Sequence, residues 1–347
     1  MEWNDSRVLI TGGAGFVGSN LTTALLKAGV DEIVIVDNLL SAELENIPVS
    51  KRIVFWEGSI ADDNILKKIE DRYDYIFHLA TYHGNQSSIH DPLADHENNL
   101  LTTLKLFNWA RDFKKVKKVI YSGAGCAVAR KTFEDAKPTS EDASVTLEMD
   151  SPYSISKIVG EFYAVYFYKQ HQLPTVRARF QNVYGPGEVL GAGKWRGTPA
   201  TVWRNVTPTF IYKSIKQESL PLENEGLATR DFIFVDDIAR GLMLCAEKGK
   251  PGEVYNLASG TETKIKELAE LINRFTDNPS PPTFKPKRDW DRSGCRLGST
   301  EKAKNELGFL AEVGIAEGLQ KTIEWTRTNL EFIEKMINKH KIHLEFF

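Results

Sequence analysis

The sequence has few cysteines and no long hydrophobic run, and both absences exclude whole classes of protein. Its 347 residues include three cysteines, Cys126, Cys245 and Cys295, an odd number without the CxxC spacing of a metal site. These are too few for a disulfide framework, so we expect a protein of the reducing cytoplasm. No apolar run approaches the ~18 residues that span a bilayer, and the first residues lack the pattern of a signal peptide. We therefore expect no membrane partner.

Neither sign of charge dominates the chain. The 44 basic and 47 acidic side chains leave a formal charge of -3. A balance of this kind produces no overall field that would attract nucleic acid or anionic lipid, so we expect no nucleic-acid partner. The 41% of hydrophobic residues and the 25 glycines are typical of a globular protein, and the length suits about two domains of roughly 150 residues each.

Short β-branched runs alternate with helical stretches through the first half of the chain. They span residues 8–10, 33–36, 53–55, 75–77, 119–121 and 175–178. Runs that are apolar on both faces and separated by crossover lengths indicate an α/β fold, a Rossmann doubly wound parallel sheet. We predict that this domain comprises residues 1–180 plus about 232–260. Residues from about 181–231 plus 261–347 would form a smaller C-terminal lobe that holds the substrate.

A glycine-rich turn follows the first run. Gly12, Gly15 and Gly18 permit a tight turn, so that a pyrophosphate can lie against the N-terminus of a helix running from Ser19 onward. Asp37 ends the second run, where a carboxylate can bind both ribose hydroxyls. An acidic group at that place repels a 2′-phosphate, so the pattern favours NAD over NADP. A purely structural turn is the alternative for the glycines taken alone.

Tyr153 and Lys157 are four residues apart, which on a helix places a phenol and an ammonium on one face. A phenol with a pKa of about 10 is a poor base at neutral pH, and a nearby cation stabilises its phenolate form. A solvated helix face is the alternative for such a pair by itself. Its place after a dinucleotide turn and the fifth run favours a catalytic pair.

Further motifs extend over nearly the whole chain. They are His78-Leu79-Ala80, Asn99, residues 179–187 (RFQNVYGPG) and residues 230–237 (RDFIFVDD). With the two sites above, they resemble the extended short-chain dehydrogenase/reductases, specifically the nucleotide-sugar epimerases and dehydratases. The resemblance implies a bound NAD, a nucleotide-diphosphate sugar as substrate and a homodimer. It also implies that Tyr153 removes a proton from a sugar hydroxyl while Lys157 holds the nicotinamide ribose.

The resemblance implies a set of cofactor contacts along the first half of the chain. They are Gly12, Gly15, Phe16, Val17, Gly18, Asp37, Asn38, Ser59, Ile60, Leu79, Ala80, Thr81, Asn99, Tyr153 and Lys157. Ser59 and Ile60 match the place where the family contacts adenine. The family commonly has Gly-Asp there, whereas this chain has Gly58 and Ser59, so the adenine contact is the weakest match.

The segment after the fifth run departs from the family. Ala124 stands where the family has a serine or threonine that helps the tyrosine, so Ser122 or a water would take over that task. Cys126 occupies the position of the dehydratase glutamate and resembles the acid/base cysteine of GDP-mannose 3,5-epimerases. It either exchanges a proton at a carbon made acidic by a neighbouring keto group, or fills space at a strand end.

The remaining candidates are substrate contacts that the resemblance implies. They are His83, Asn182, Lys194, Arg230, Arg288 and Arg292. Asn182 and Arg230 match positions that hold the diphosphate in the family. Arg288 or Arg292 matches a phosphate-binding arginine late in the family's sequences. For each arginine, a surface ion pair is the alternative. His83 is either a sugar contact or a structural residue. Lys194 is either a sugar contact or a solvated loop residue. We expect no metal site.

These patterns together predict a function. We expect an NAD-dependent nucleotide-sugar epimerase that acts through a transient 4-keto sugar, at C4 or at C3/C5 with Cys126, in polysaccharide biosynthesis. A dehydratase or decarboxylase using the same intermediate is the enzymatic alternative. A catalytically inactive NAD-binding regulator is the alternative of another class, with Ala124 as its supporting feature and the Tyr153/Lys157 pair against it.

Overall fold

The computed structural model describes residues 3–128, 137–289, 291 and 294–346. A parallel sheet of seven strands dominates it. The strands are β1 (Arg7–Thr11), β2 (Glu32–Asp37), β3 (Ile53–Glu57), β4 (Tyr75–His78), β5 (Lys118–Ala124), β6 (Thr175–Phe180) and β10 (Val254–Leu257). Their order is β3-β2-β1-β4-β5-β6-β10. Each predicted run lies within one of the first six strands, so the predicted Rossmann sheet is confirmed.

Alternate residues of the strands belong to different hydrophobic cores. Leu9 and Val34 pack in the core on one face of the sheet, whereas Ile10 and Ile35 pack in the core on the other face. Because successive side chains of a strand point to opposite faces, this division requires a layer of helices on each side. The apolar runs therefore reflect a sheet that is covered twice.

Helices connect the strands and cover both faces of the sheet. In the first half they are α1 (Phe16–Lys27), α2 (Asp63–Leu66), α3 (Asn85–His90), α4 (Pro92–Asp95), α5 (Thr102–Ala110), α6 (Gly125–Val128) and α7 (Pro152–His171). A π-helical segment, His96–Leu101, joins α4 to α5. In the second half they are α8 (Val206–Ile215), α9 (Val235–Lys248), α10 (Ile265–Thr276), α11 (Glu301–Leu307), α12 (Ile315–Thr328), α13 (Leu330–Asn338) and α14 (Lys341–Leu344).

Two small sheets lie in the part of the chain predicted to form a smaller lobe, which is called the second lobe below. The first contains β7 (Asn182–Tyr184), β9 (Thr229–Phe234) and β11 (Glu262–Lys264), with β9 in the centre; the second pairs β8 (Pro221–Glu223) with β12 (Thr283–Lys285). Residues 232–234, expected to return to the large sheet, lie in β9 of the small one, and α9 and β10 make the return. The division into two domains remains a prediction.

The last helices pack against a segment that borders the second lobe. Ile333 and Met336 of α13 share a hydrophobic cluster with Val189 and Leu190. His340 Nε2 lies 2.9 Å from the carbonyl oxygen of Gly191. The C-terminal helices therefore hold the chain that follows β7. Among the described residues, no helix combines the length and apolar character needed to traverse a bilayer.

Candidate active site

A cleft of about 810 Å³ opens at the carboxyl ends of the parallel strands and continues to the second lobe. Ligands of open α/β sheets bind at this edge. Most of the predicted site residues line it. They are Gly12, Gly15, Phe16, Val17, Gly18, Asp37, Asn38, Ser59, Ile60, Leu79, Ala80, Thr81, His83, Ser122, Cys126, Tyr153, Lys157, Asn182, Arg230 and Arg288.

The glycine-rich turn packs too closely for side chains. Gly12 has a φ of +76°, and a Cβ on it would lie 2.5 Å from the backbone nitrogen of Ala80. A Cβ on Gly18 would lie 2.3 Å from the carbonyl oxygen of Gly12. Within the described chain, no side chain caps α1 at Gly15, so the first-turn amides remain donors toward the cleft. These donors and the helix dipole suit a diphosphate.

Two backbone amides hold Asp37 at the end of β2. Its Oδ2 accepts a hydrogen bond from the Ala14 amide at 3.0 Å, and its Oδ1 accepts one from the Leu39 amide at 2.9 Å. Burial raises the pKa of this carboxyl, and the backbone hydrogen bonds oppose that rise. Each carboxylate oxygen keeps a lone pair for a further donor, which fits the hydroxyls of a ribose.

Tyr153 and Lys157 lie on the first turns of α7, whose N-terminal cap is Ser151. Lys157 Nζ donates to the carbonyl oxygen of Ser122 at 3.0 Å and lies 5.9 Å from the centre of the Tyr153 ring. Burial lowers the pKa of Lys157 to about 8 and raises the pKa of Tyr153. The pair is thus a desolvated ammonium beside a phenol, an arrangement in which the cation stabilises the phenolate.

Asn99 lies behind the cleft wall, although the resemblance implies a cofactor contact. Its Oδ1 accepts hydrogen bonds from the Tyr82 amide at 2.6 Å and from Thr81 Oγ1 at 3.0 Å. Its Nδ2 donates to Asp95 Oδ1 at 2.6 Å. These bonds turn the amide toward the loop after β4, and its neighbour Asn98 lines the cleft instead. Asn99 therefore positions the loop.

Cys126 lies on α6 and lines the cleft beside Tyr153. The two side chains pack against one cluster that includes Ala124 and Ile158. Burial is the main cause of the raised pKa of Tyr153, and a negative charge on Cys126 acts in the same direction. The geometry thus allows an acid/base role for the cysteine as well as a packing role.

Ser122 contacts the lysine of the pair. Its Oγ donates to the carbonyl oxygen of His78 at 3.0 Å, and Lys157 Nζ lies 3.3 Å from the same Oγ. Ala124 lines the cleft with a methyl group, at the position where the resemblance implies a hydroxyl. The Ser122 hydroxyl thus donates to His78 and accepts from Lys157, and its role as a helper of Tyr153 stays a prediction.

His83 lies between Tyr153 and the second lobe. Its ring centre is 6.0 Å from that of Tyr153, and its Nε2 lies 3.4 Å from Asn205 Oδ1. Burial lowers the pKa of His83 to about 4, with the positive charges of Arg196 and Arg204 acting in the same direction. The imidazole is therefore neutral at pH 7 and available as a hydrogen-bonding group.

The arginines of the second lobe reach the cleft with partners of their own. Arg230 donates to the carbonyl oxygen of Gly294 at 2.9 Å and to Asp291 Oδ2 at 3.1 Å, and burial lowers its pKa to about 10. Arg288 Nε lies 2.5 Å from Glu223 Oε2, so the ion-pair alternative holds for Arg288 while it still lines the cleft. Arg292 lies outside the described residues.

Lys194 does not reach the cleft. Its side chain is exposed, and its backbone amide donates to the carbonyl oxygen of Leu40 at 3.0 Å. The cleft-lining residues of this stretch are instead Glu188, Arg204 and Asn205. Burial raises the pKa of Glu188 to about 7. The sequence signal for these three residues is their position after the Gly-Pro-Gly motif. That signal does not indicate which side chains of the segment face the cleft.

The sequence is similar to a known family and to enzymes of that family. Residues 8–258 match the sequence model of the NAD dependent epimerase/dehydratase family. A UDP-glucose 4-epimerase of Mycolicibacterium smegmatis is 32% identical over 325 residues, covering 92% of this chain and 98% of that enzyme. A dTDP-D-glucose 4,6-dehydratase of Homo sapiens is 27% identical over 335 residues, covering 93% of this chain and 90% of that enzyme.

A solved structure is similar over its full length. The Bordetella bronchiseptica enzyme WbmF in complex with NAD+ is 59% identical, with a TM-score of 0.90, and the match covers 100% of both chains. The complex of WbmF with NAD+ and UDP is 58% identical, with a TM-score of 0.90, and the match covers 99% of both chains.

Proposed function

Because the chain belongs to the NAD dependent epimerase/dehydratase family, we propose that it is a nucleotide-diphosphate-sugar epimerase that acts through a transient 4-keto sugar. One observation carries the proposal. Tyr153, Lys157 and Cys126 line the same cleft as the glycine-rich turn and the arginines of the second lobe. A cofactor and a nucleotide sugar that share this cleft would meet at Tyr153.

The cofactor is NAD. The family to which the chain belongs is NAD dependent, and a structure 59% identical to the chain was solved with NAD+, so the predicted cofactor is confirmed. The first-turn amides of α1 suit its diphosphate, and Asp37 suits its adenosine ribose. When bound, NAD accepts a hydride from a sugar carbon and returns it. Lys157 is the candidate to hold the second ribose, because its ammonium lies beside the ring of Tyr153.

Tyr153 is the proposed base of the reaction. Its phenolate removes the proton of the sugar 4-hydroxyl as C4 is oxidised, and the phenol returns that proton when the ketone is reduced. Lys157 stabilises the phenolate by its charge, and Ser122 holds the lysine through its carbonyl and hydroxyl oxygens. Inversion follows when the keto sugar presents its other face before reduction.

UDP is the nucleotide that we propose for the substrate. WbmF, at 58% identity, has been crystallised with NAD+ and UDP. Arg230 and Asn182 are the candidates to bind the diphosphate, because an arginine fork suits phosphate oxygens. Glu223 and Arg288 form an ion pair in the same cleft.

The position of Cys126 favours a second candidate reaction, epimerisation at C3 or C5. A 4-keto group acidifies the hydrogens on its neighbouring carbons, and a thiol with a reference pKa of about 8.5 can exchange such a proton. Cys126 lines the cleft beside Tyr153, on the helix that directly follows β5. In this variant of the proposal, Tyr153 makes and removes the ketone while Cys126 acts on the adjacent carbon.

Deuterated water separates the two reactions. The protein is incubated with UDP-, GDP-, dTDP- and CDP-sugars in deuterated water, and the products are followed by NMR. Inversion at C4 by return of the same hydride introduces no carbon-bound deuterium, whereas proton exchange by Cys126 places deuterium at C3 or C5. We expect Cys126→Ser to abolish any such label, and Cys295→Ser to leave it unchanged. A label that survives in Cys126→Ser would exclude the cysteine.

The same experiment tests the alternative activities. A dehydratase yields a product that has lost one water, and a decarboxylase yields one that has lost its carboxyl carbon. A protein that holds NAD and converts none of the sugars would support the regulator. The homodimer and the role in polysaccharide biosynthesis remain predictions of the resemblance.

Asp37→Asn is expected to weaken NADH binding about tenfold or more, because hydrogen bonds to a charged carboxylate contribute roughly 1.5–3 kcal/mol. We also expect a smaller preference for NADH over NADPH, since the negative charge that repels a 2′-phosphate is gone. Fluorescence titration with both cofactors measures the two effects. Asp31→Asn, an exposed carboxylate before β2, is the matched control. Equal affinities in Asp37→Asn and the wild type would contradict the assignment.

A further inference from the structure

Glu188 is a buried carboxylate that lines the cleft between Tyr153 and the second lobe. It follows the Gly-Pro-Gly turn after β7 and is 5% exposed. Its Oε1 accepts a hydrogen bond from Asn205 Nδ2. Its Oε2 is buried and has no hydrogen-bond partner among the described residues. Glu188 therefore lines the cleft with a carboxylate oxygen that accepts no hydrogen bond from the described residues.

Arg204 and Asn205, two donor residues that line the same cleft, already use their donors. Arg204 Nη1 donates to the carbonyl oxygen of Ser41 at 2.7 Å, and its Nη2 donates to that of Ala192. Asn205 uses its Nδ2 for Glu188 and turns its Oδ1 toward His83. Backbone carbonyl oxygens hold Arg204, and the side chains of Glu188 and His83 hold Asn205, so neither group turns to Oε2 without giving up an existing bond.

A buried polar atom without a partner destabilises a protein, and a ligand that supplies the partner gains the corresponding affinity. The position of Glu188 in the cleft indicates which part of the ligand would donate to its Oε2. Glu188, Asn205 and His83 form a row that ends 6.0 Å from the Tyr153 ring, where the proposed sugar reacts. Arg230, proposed for the diphosphate, donates to the carbonyl oxygen of Gly294 and to Asp291, which lie outside this row.

We infer that Glu188 contacts the sugar of the substrate, and that its Oε2 accepts a hydrogen bond from a neutral donor on that sugar, a hydroxyl or an amide N–H. The inference rests on the proposed function and specifies its substrate class. A sugar that turns a carboxylate toward Glu188 is disfavoured, because two carboxylates in contact repel each other. A sugar without a donor at that position leaves Oε2 unpaired and is rejected for that reason.

Glu188→Gln tests the inference because it keeps the shape of the side chain. Asn205 Nδ2 still needs an acceptor, so the glutamine carbonyl turns toward it and the glutamine NH2 replaces Oε2. An acceptor facing the sugar thus becomes a donor. Calorimetric titration of the NAD-loaded protein with UDP, UDP-glucose, UDP-N-acetylglucosamine and UDP-glucuronic acid gives the affinity of each. The quantity compared is the affinity of each UDP-sugar divided by that of UDP.

We expect this ratio to fall about tenfold or more in Glu188→Gln for the neutral sugar that binds best, with the affinity for UDP unchanged. A larger loss for UDP-N-acetylglucosamine than for UDP-glucose would identify the donor as the amide N–H, and equal losses would identify a hydroxyl. Glu331→Gln, an exposed carboxylate on α13, is the matched control. The midpoint of thermal unfolding checks that each variant is folded.

Two results would overturn the inference. One is an unchanged ratio for every sugar in a folded Glu188→Gln variant. The other is a wild-type preference for UDP-glucuronic acid that the variant strengthens, which would mean that Glu188 faces a carboxylate. If no UDP-sugar binds or is converted by the wild type, the proposed function and this inference fail together. If the sugars bind and react while the ratio stays constant, the inference about Glu188 alone fails.

Discussion

Tyr153→Phe is expected to lose roughly 10²- to 10⁴-fold in kcat, the usual contribution of a positioned acid/base group. The variant lacks only the hydroxyl, so its ring still packs against the cluster of Ala124 and Ile158. NAD should stay bound, because the first-turn amides of α1 and Asp37 are unchanged. Steady-state rates with a converted UDP-sugar, and the cofactor content of the purified protein, measure the two expectations.

Tyr163→Phe is the matched control for this loss. Tyr163 lies on the same helix and packs against the hydrophobic core that contains Leu9 and Val34. Its side chain does not line the cleft. We expect its kcat to stay within about twofold of the wild type, because only interactions that are stronger in the transition state than in the ground state accelerate the reaction, and the Tyr163 hydroxyl does not line the cleft. Full activity of Tyr153→Phe would exclude the proposed mechanism.

Glu161→Ala is expected to cost about 3–5 kcal/mol of stability, because it leaves a buried charge without its partner. Glu161 lies on α7 and accepts two hydrogen bonds of 2.9 Å from Arg179 on β6, and both side chains are buried. Arg177 lies 3.4 Å from the same carboxylate. For a chain of this length the loss corresponds to a fall of roughly 4–7 °C in the midpoint of thermal unfolding.

A double variant identifies the cause of that loss. Glu161→Leu combined with Arg179→Met removes both charges of the buried pair and leaves Arg177 with its bond to the Gly252 carbonyl oxygen, so we expect it to regain part of the lost stability, since the cost is that of an uncompensated charge. Glu317→Ala breaks an exposed pair with Lys321 on α12 and should cost less than about 1 kcal/mol. Equal shifts in Glu161→Ala and Glu317→Ala would refute the assignment. So would a double variant less stable than Glu161→Ala.

The Glu161 pair also holds α7, the helix that carries the proposed catalytic pair. Glu161 joins α7 to β6, and Tyr153 and Lys157 lie on the same helix. Because a helix is rigid over this length, the ion pair and the hydrogen bond from Lys157 to Ser122 fix the helix at two points. A single helix therefore connects a structural core to the reacting groups.

The sequence by itself predicted the sheet, the glycine-rich turn and the tyrosine–lysine pair. These features depend on short-range rules: residues such as Leu9 and Ile10 are both apolar because the sheet is covered on both faces. Gly12 and Gly18 are glycines because a Cβ would overlap neighbouring backbone. Tyr153 and Lys157 share a helix face because of the helical period. Local sequence is sufficient where the contact partners are a few residues or one strand away.

The tertiary structure alone decided which side chains of irregular segments face the cleft. The resemblance implies ligand contacts for Asn99 and Lys194; in the structure, hydrogen bonds to the Tyr82 loop hold the Asn99 side chain behind the cleft wall, and Lys194 is exposed. Glu188 reaches the cleft because Asn205 holds it and the C-terminal helices secure the chain that follows it. These partners are distant in the sequence and carry no periodic signal. The direction of a loop side chain therefore emerges only when the whole chain is folded.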